Sequence, residues 1–369
     1  MNNSEYVYAF AHRFNCPLIG VSSMPIIPLN LFFHGAPVLS SHASNWELED
    51  SVQGKMSFWL RLCNFYRTWI HIYKTFNELI PTQQAMAERY LGKGIPNVLD
   101  IYRNISAIFV NQQDHLFYAQ PLLPNVIKFS FVHVADNVTQ LPEDLKLLLE
   151  NATNGFIYFS LGTNAWASLL PKSVLRIFFD VFSNLPYKVI WKYENELPWK
   201  HDNIYTAQWL PQKTLLAHPK IKLFIYQGGL QSTEEAVYYT VPMIGMPMLA
   251  DQDTHVHKLV SLGVAKYINV NEFTKEDFED AVYEVSNNKG YKERIIKLKE
   301  HIMDRPYNDV EHLVWWTEYI LRHKGAPHLR SSITFESWYQ KYDIDVIMFL
   351  AGAIFVAFLL AKINTKRRG

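Results

Sequence analysis

Cysteine is almost missing from this sequence. Cys16 and Cys63 are the only two in 369 residues, so a disulfide framework is excluded and at most one bridge remains. We expect two buried thiols with no redox or metal role. No group of cysteines and histidines has zinc-site spacing. A Gly-x-Gly-x-x-Gly run after a strand is also absent, which argues against a nucleotide-cofactor oxidoreductase. Net charge is lacking too. The 35 lysines and arginines equal the 35 aspartates and glutamates, so nothing steers the body toward nucleic acid or an acidic partner. The opening Met1-Asn2-Asn3-Ser4-Glu5 has no basic stretch, apolar core or small-residue cleavage site, and does not read as a signal peptide. No internal repeat or low-complexity segment is present.

What is present is a globular composition, 49% hydrophobic and 19% charged, long enough for about two domains. The C-terminus departs from it. Val346 to Ala361 is an uncharged run that extends from Ile344 to Ile363, with Asp345 at the interface and Lys362 snorkelling. It approaches the length a helix needs to cross a bilayer and shows no polar face. Lys366-Arg367-Arg368 follows, which favours a cytosolic tail. An anchor so close to the C-terminus of a chain without a signal would instead insert tail-first and leave the body in the cytosol. The two tendencies conflict. Asn2, Asn104, Asn137 and Asn151 open glycosylation sequons, weak support for a lumenal face.

Along the chain, residues 6 to 28 read as a helix, a turn at Asn15 and a short strand at Leu18 to Val21. Residues 29 to 54 read as loop. From Lys55 to Leu91 we expect aromatic helices, with Trp59, Leu60, Leu62, Phe65 and Trp69 as core. Strands follow at Ile108 to Val110 and Val126-Ile127, and prolines 121, 124 and 142 mark a connection. A regular β/α alternation then predicts a parallel sheet. Its strands are Gly155 to Ser160, Tyr187 to Trp191, Ile204 to Thr206, Ile221 to Ile225 and Met243 to Met246. Helices are expected at Pro171 to Phe182 and Ser232 to Tyr239. Ligands of such sheets collect beyond the carboxyl ends of the strands.

Those ends carry the chemistry. Gly228-Gly229, between a strand and a helix, lets backbone amides approach an anion, helped by the helix dipole. Ser232 and Glu235 have the spacing of a capping box. Alternatively, Glu235 grips ribose hydroxyls through charge-assisted hydrogen bonds. Trp209 offers a stacking surface for a base and Gln212 an amide for its edge. Asp251-Gln252 supplies an acceptor and an amide suited to a hexose, or else a solvated turn.

The run Phe156 to Thr163, Trp209-x-Pro-Gln212, His218-Pro219, Gln227-Gly-Gly-x-Gln-Ser232 and Asp251-Gln252 resembles the signature of the UDP-glycosyltransferases of glucuronosyl/glucosyltransferase type. The similarity covers residues 141 to 325. Gln227, where many members have histidine, resembles the insect and baculovirus branch; it can donate a neutral hydrogen bond but no positive charge. The resemblance implies an α/β, GT-B-like fold: two Rossmann-like domains, the first incomplete, plus a C-terminal transmembrane helix. The corresponding divisions are 1–140 (acceptor side), 141–325 (UDP-sugar binding), 326–343 (juxtamembrane), 344–363 (membrane helix) and 364–369 (basic tail).

It further implies that Trp209 and Gln212 hold uracil and Glu235 the ribose. Gly229, Ser232 and Ser160 or Thr163 would meet the diphosphate, with Gln227 and Gly228 beside it, and Asp251 and Gln252 the sugar. His218-Pro219 is read as loop structure. Relatives commonly carry a glycine pair where this chain has Ser130-Phe131, in the connection between the lobes. The family's catalytic His/Asp pair is expected upstream of Met1, so this chain reads as N-terminally truncated. His12, His34, His42 and His71 read as loop or helix-surface residues rather than substitute bases. The implied activity is inverting transfer of glucose or glucuronate from a UDP-sugar, as co-substrate with no cofactor, to the hydroxyl of a small lipophilic acceptor. The implied setting is a single-pass protein of the endoplasmic reticulum membrane, associating with itself or related transferases. The alternative is a silent isoform that binds UDP-sugar or modulates full-length relatives.

Overall fold

A computed structural model describes residues 5–40, 56–117, 121–134 and 139–368, with side chains described to residue 363. Asn2, His42, Asn137 and the basic side chains of the tail lie outside them. The first unit opens with helix α1 (Ala9–Phe14), strand β1 (Ile19–Ser22) and helix α2 (Pro28–Phe33). Helices α3 (Phe58–Lys74), α4 (Ile80–Leu91) and α5 (Val98–Arg103) follow, then strands β2 (Ala107–Asn111) and β3 (Val126–Phe129). The three strands pair in the order β1-β2-β3, all parallel.

After α6 (Glu143–Glu150) the second sheet begins. Its elements are β4 (Phe156–Ser160), α7 (Lys172–Asn184), β5 (Lys188–Lys192), β6 (Ile204–Ala207) and α8 (Gln212–Ala217). They continue with β7 (Ile221–Tyr226), α9 (Leu230–Tyr238), β8 (Met243–Gly245), α10 (Gln252–Ser261) and β9 (Ala265–Tyr267). The order is β6-β5-β4-β7-β8-β9, again all parallel. Helices α11 (Lys275–Asn287), α12 (Lys289–Met303) and α13 (Asp309–Arg322) complete the body. Helix α14 (Trp338–Lys341) then leads to the long α15 (Ile344–Arg368).

Alternation along each strand builds two cores. Phe156, Tyr158, Phe224, Tyr226 and Met243 point to one face of the second sheet. Ile157, Phe159, Trp191, Ile225 and Ile244 point to the other. Both faces are buried, which is why these strands read as continuous apolar runs. Helix α7 covers the second face with Leu175, Phe178, Phe179 and Phe182, the three- and four-residue spacing of an amphipathic helix. Helix α13 returns to the first sheet, where Ile320 packs with Phe109, Ile127 and Phe129.

The second sheet reverses its winding between β4 and β7. Strands β5 and β6 lie on one side of β4; β7, β8 and β9 lie on the other. A crevice opens at the carboxyl ends of strands at such a switch point. Ser160 ends β4 and Gln227 follows β7. The fold therefore fixes where a ligand can enter.

Several expectations are corrected. Residues 28 to 33 are helical rather than loop: Pro28 occupies the first turn, where its missing N–H is harmless, and Leu31, Phe32 and Phe33 are buried. The buried residues of α3 are Asn64, Thr68 and Ile72, while Trp59 is 72% exposed and Leu62 and Phe65 nearly half exposed. Periodicity reveals a face but not what covers it. Cys16 and Cys63 are free and exposed, not buried. His34 is no surface residue either. It is buried against the edge of Tyr102, and burial, reinforced by Arg103, Arg330 and Lys341, lowers its pKa to about 4.

Phe131 holds φ at 54° in the connection between the two sheets, a left-handed conformation rare for a bulky residue. Two acceptors fasten it. The Ser130 N–H and hydroxyl donate to Asp309 Oδ2 at 2.8 Å each, and the Phe131 N–H donates to Glu234 Oε1 at 3.1 Å.

Gly228 serves packing. At φ +90°, a Cβ there would lie 2.6 Å from Val256 Cγ2 and 2.9 Å from the Gln252 carbonyl oxygen. Left-handed backbone and overpacking together make Gly228→Ala destabilising by about 2–4 kcal/mol. Urea denaturation should show this as a lower midpoint at unchanged slope.

Candidate functional site

Ten of the eleven residues singled out from the sequence line one cavity of about 890 Å³ at the strand ends: Ser160, Thr163, Trp209, Gln212, Gln227, Gly229, Ser232, Glu235, Asp251 and Gln252. Gly228 stands behind the wall, packed on α10. On the β4 side the Gly162 N–H donates to Ser160 Oγ at 3.3 Å. Gly162 has φ +76°, and a Cβ there would collide with the Gln227 side-chain amide. Gln227 is buried, and its Oε1 lacks a hydrogen-bond partner.

Helix α9 begins at Leu230 with Gly229 as its N-cap and no side-chain cap. Its first N–H groups therefore point at the cavity without intrahelical partners, and the helix dipole favours an anion there. The capping-box alternative for Ser232 and Glu235 is overturned, because Ser232 lies inside the helix. Instead Gln212 Nε2 donates to Glu235 Oε2 at 2.6 Å and to Ser232 Oγ at 2.9 Å. Gln212 Oε1 faces the Tyr158 hydroxyl at 3.4 Å. Trp209 lines the cavity and is 73% exposed. His218 is loop structure: its Nδ1 accepts the Lys220 N–H at 3.1 Å and its ring edges Phe156.

Beyond β8, Asp251 precedes α10 with one carboxylate oxygen 3.4 Å from His255 Nε2. Gln252 is half spent. Its Oε1 accepts the Met248 and Leu249 N–H groups at 2.9 Å each, shaping the loop that holds Asp251 and leaving its amide nitrogen as donor. His255 Nδ1 lies 3.1 Å from the Gly228 carbonyl, so α10 is tied to the glycine turn.

The arrangement joins a flat aromatic surface, an anion cradle and two carboxylates along one crevice. The family model described as UDP-glucoronosyl and UDP-glucosyl transferase matches residues 35–367. The chain belongs to this family. UDP-glycosyltransferase UGT5 of Dactylopius coccus is 33% identical over 94% of this chain and 66% of that protein. UDP-glucosyltransferase 2 of the same organism is 33% identical over 92% of this chain and 66% of its own length. The chain thus spans just under two thirds of these curated relatives. A solved structure of CalG4, the calicheamicin glycosyltransferase, aligns over 85% of this chain and 72% of that one, with TM-score 0.56 and 14% identity. That likeness shows the fold alone: this UDP-glycosyltransferase family member is an α/β protein of GT-B type.

Sequence reasoning missed several residues of the site. Lys192, at the end of β5, reaches the cavity wall and donates from Nζ to the Gly162 carbonyl and to Glu194 Oε1, both at 2.9 Å. A lysine closing an apolar strand was the available signal. Lys213, beside Gln212, also lines the cavity and donates to the His133 carbonyl at 3.0 Å. Glu234 was invisible. It is fully buried, its Oε2 accepting from Asn111 Nδ2 at 2.9 Å and its Oε1 from Gln113 Nε2 at 2.6 Å and the Phe131 N–H. His133 sits between the two carboxylates, 3.5 Å from Glu234 Oε2 and 3.7 Å from Glu235 Oε1. Burial lowers the His133 pKa, against the pull of Glu235.

Burial also raises the Glu235 pKa, and the Gln212 hydrogen bond and His133 only partly offset it. The sign matters twice. A raised folded-state pKa means a stability contribution present below the ordinary carboxylate range and lost as pH rises through the folded value. A grip on ligand hydroxyls needs the ionised form and runs the other way, strengthening over that same rise. Calorimetric titration with UDP-glucose should therefore show affinity falling as pH is lowered from the neutral range toward the carboxylate range. Glu235→Gln should flatten that dependence.

Proposed function

We propose that this chain holds a UDP-sugar in the strand-end cavity, as the donor side of sugar transfer to a small lipophilic alcohol. One observation carries the reading: residues picked for base, diphosphate, ribose and sugar converge on a single crevice at the switch point of the second sheet. Uracil stacks on Trp209, with Gln212 at its edge. Glu235 takes the ribose hydroxyls. The diphosphate lies over the N-terminus of α9, near Ser160, Thr163, Gly229 and Ser232. Gln227 supplies a neutral hydrogen bond there, and Lys192 brings positive charge within reach. Asp251 and the Gln252 amide face the hexose.

A neutral hexose suits that end better than a uronate, whose carboxylate would meet Asp251. The name of one relative, UDP-glucosyltransferase 2, agrees with glucose. Transfer then proceeds with inversion: a base takes the acceptor's proton, the oxygen attacks the anomeric carbon, and UDP leaves. Base catalysis is worth about 10²–10⁴-fold.

A second reading is a donor-binding chain without turnover of its own, acting beside complete relatives. It is favoured because no histidine lines the cavity among the described residues. Helix α15 carries an apolar stretch from Ile344 to Ile363, with mean hydropathy 2.6 and none of it buried. We read it as a single bilayer span, in the endoplasmic reticulum membrane with the basic tail cytosolic.

Titration with UDP tests the donor site. Stacking on an aromatic ring is worth about 1–3 kcal/mol per base, so Trp209→Ala should weaken UDP binding about tenfold or more. Glu235→Ala should do likewise, and UDP-glucose should bind more tightly than UDP-glucuronate. Unchanged affinity in both variants would remove the assigned pocket. Glucosyl transfer to a lipophilic alcohol, measured on the same protein, separates the two readings: turnover supports the enzyme and its absence the silent partner.

A further inference from the structure

Helix α3 leaves its apolar residues uncovered. Phe58, Trp59, Leu62, Phe65, Tyr66 and Tyr73 are each between 46% and 72% exposed. At 3.6 residues per turn they share an arc of about 120°; the buried Asn64 lies opposite it, and the buried Thr68 and Ile72 lead from there back to its edge. Between Phe58 and Lys74 the sequence has Arg61, Arg67 and Lys74 and no carboxylate. A helix with an aromatic face, cationic flanks and no acid has the composition of one that lies in a membrane interface.

The surroundings specify the occupant. Trp69 lies within the arc and is half-buried against the first unit's core, with its ring 6.1 Å from Phe65 and 5.3 Å from Tyr342, the latter an edge-to-face contact. Tyr342 stands two residues ahead of Ile344, where the apolar helix begins. It also stacks on Phe32, 6.4 Å between ring centres. Thr334 is buried and donates its hydroxyl to the His34 carbonyl at 3.0 Å, and Lys341 Nζ donates to the Thr334 carbonyl at 2.9 Å. The segment entering α15 is therefore docked into the first unit rather than strung out as a loose tether. Phe335, Trp338 and Tyr339 on that segment are 54%, 59% and 43% exposed. Aromatic residues gathered at the foot of a spanning helix mark the headgroup level of a bilayer.

We infer that the exposed aromatic arc of α3, with the aromatic segment ahead of α15, is a membrane-interface surface that seats the protein on lipid headgroups beside its own spanning helix. This rests on α15 spanning the bilayer. The lipid it fits is anionic, given the cationic flanks of α3.

The test uses the full chain in vesicles of phosphatidylcholine and phosphatidylserine, with Cys16→Ser and Cys63→Ser removing the native thiols. An environment-sensitive fluorophore is placed on Leu62→Cys in one sample and on Gly352→Cys in another; Gly352 has open space around it. The Gly352 probe should be quenched by lipids spin-labelled deep in the acyl chain. The Leu62 probe should lose emission to lipids labelled at the headgroup more than to lipids labelled deep in the acyl chain, as an interfacial residue does, and be shielded from aqueous iodide. Failure of the Gly352 probe to respond would overturn the spanning reading and the inference with it. A responsive Gly352 probe beside a Leu62 probe reached by iodide, or shielded from iodide and lipid alike, would overturn the interfacial surface alone. The last outcome would mean that protein covers the arc.

Discussion

The buried carboxylate of Glu234 is the constraint on which the site depends. Removing a carboxylate from water is expensive unless donors satisfy it, and three converge here: the side-chain amides of Asn111 and Gln113 and the N–H of Phe131. Asn111 ends β2 of the first sheet, Phe131 belongs to the connection, and Glu234 sits on α9 of the second sheet. One side chain thus fixes the helix that shapes the cavity against the other lobe. Neighbouring residues on a helix point about 100° apart, so anchoring Glu234 inward leaves Glu235 facing the crevice. There Gln212 holds it.

The connection shows the same economy of fastening. Phe131 occupies a left-handed conformation that glycine would adopt freely. It is held there by Glu234 at its N–H and by Asp309 on the preceding Ser130. Asp309 is in turn paired with Arg305 at 2.6 Å. Strain of this kind persists only where the surroundings over-determine it. The lobes meet through a joint that Glu234 on α9 and Asp309 on α13 hold in place.

Much of the second sheet was legible because parallel strands buried on both faces are apolar runs, and its cavity-lining residues follow those runs directly. Trp209, Gln212, Gly229 and Asp251 needed only local sequence to be found. Glu234 did not qualify: its partners lie more than a hundred residues away, and a glutamate beside a glutamate looks like solvated surface. The Ser232–Glu235 spacing misled for a local reason, since α9 starts two residues earlier than its polar residues imply. Helix α3 misled for the opposite one. Its aromatic period is real, yet its inward row is Asn64, Thr68 and Ile72, and nothing in a period tells core from an exposed face. Cys63, on that helix, is exposed accordingly.

Hydrogen–deuterium exchange with and without saturating UDP addresses the donor cradle most directly. Amides of residues 209–212 and 227–235 should exchange more slowly with the nucleotide bound, while those of α3 stay unchanged. Protection confined to other segments, or none at all, would contradict a nucleotide seated between the indole of Trp209 and the carboxylate of Glu235.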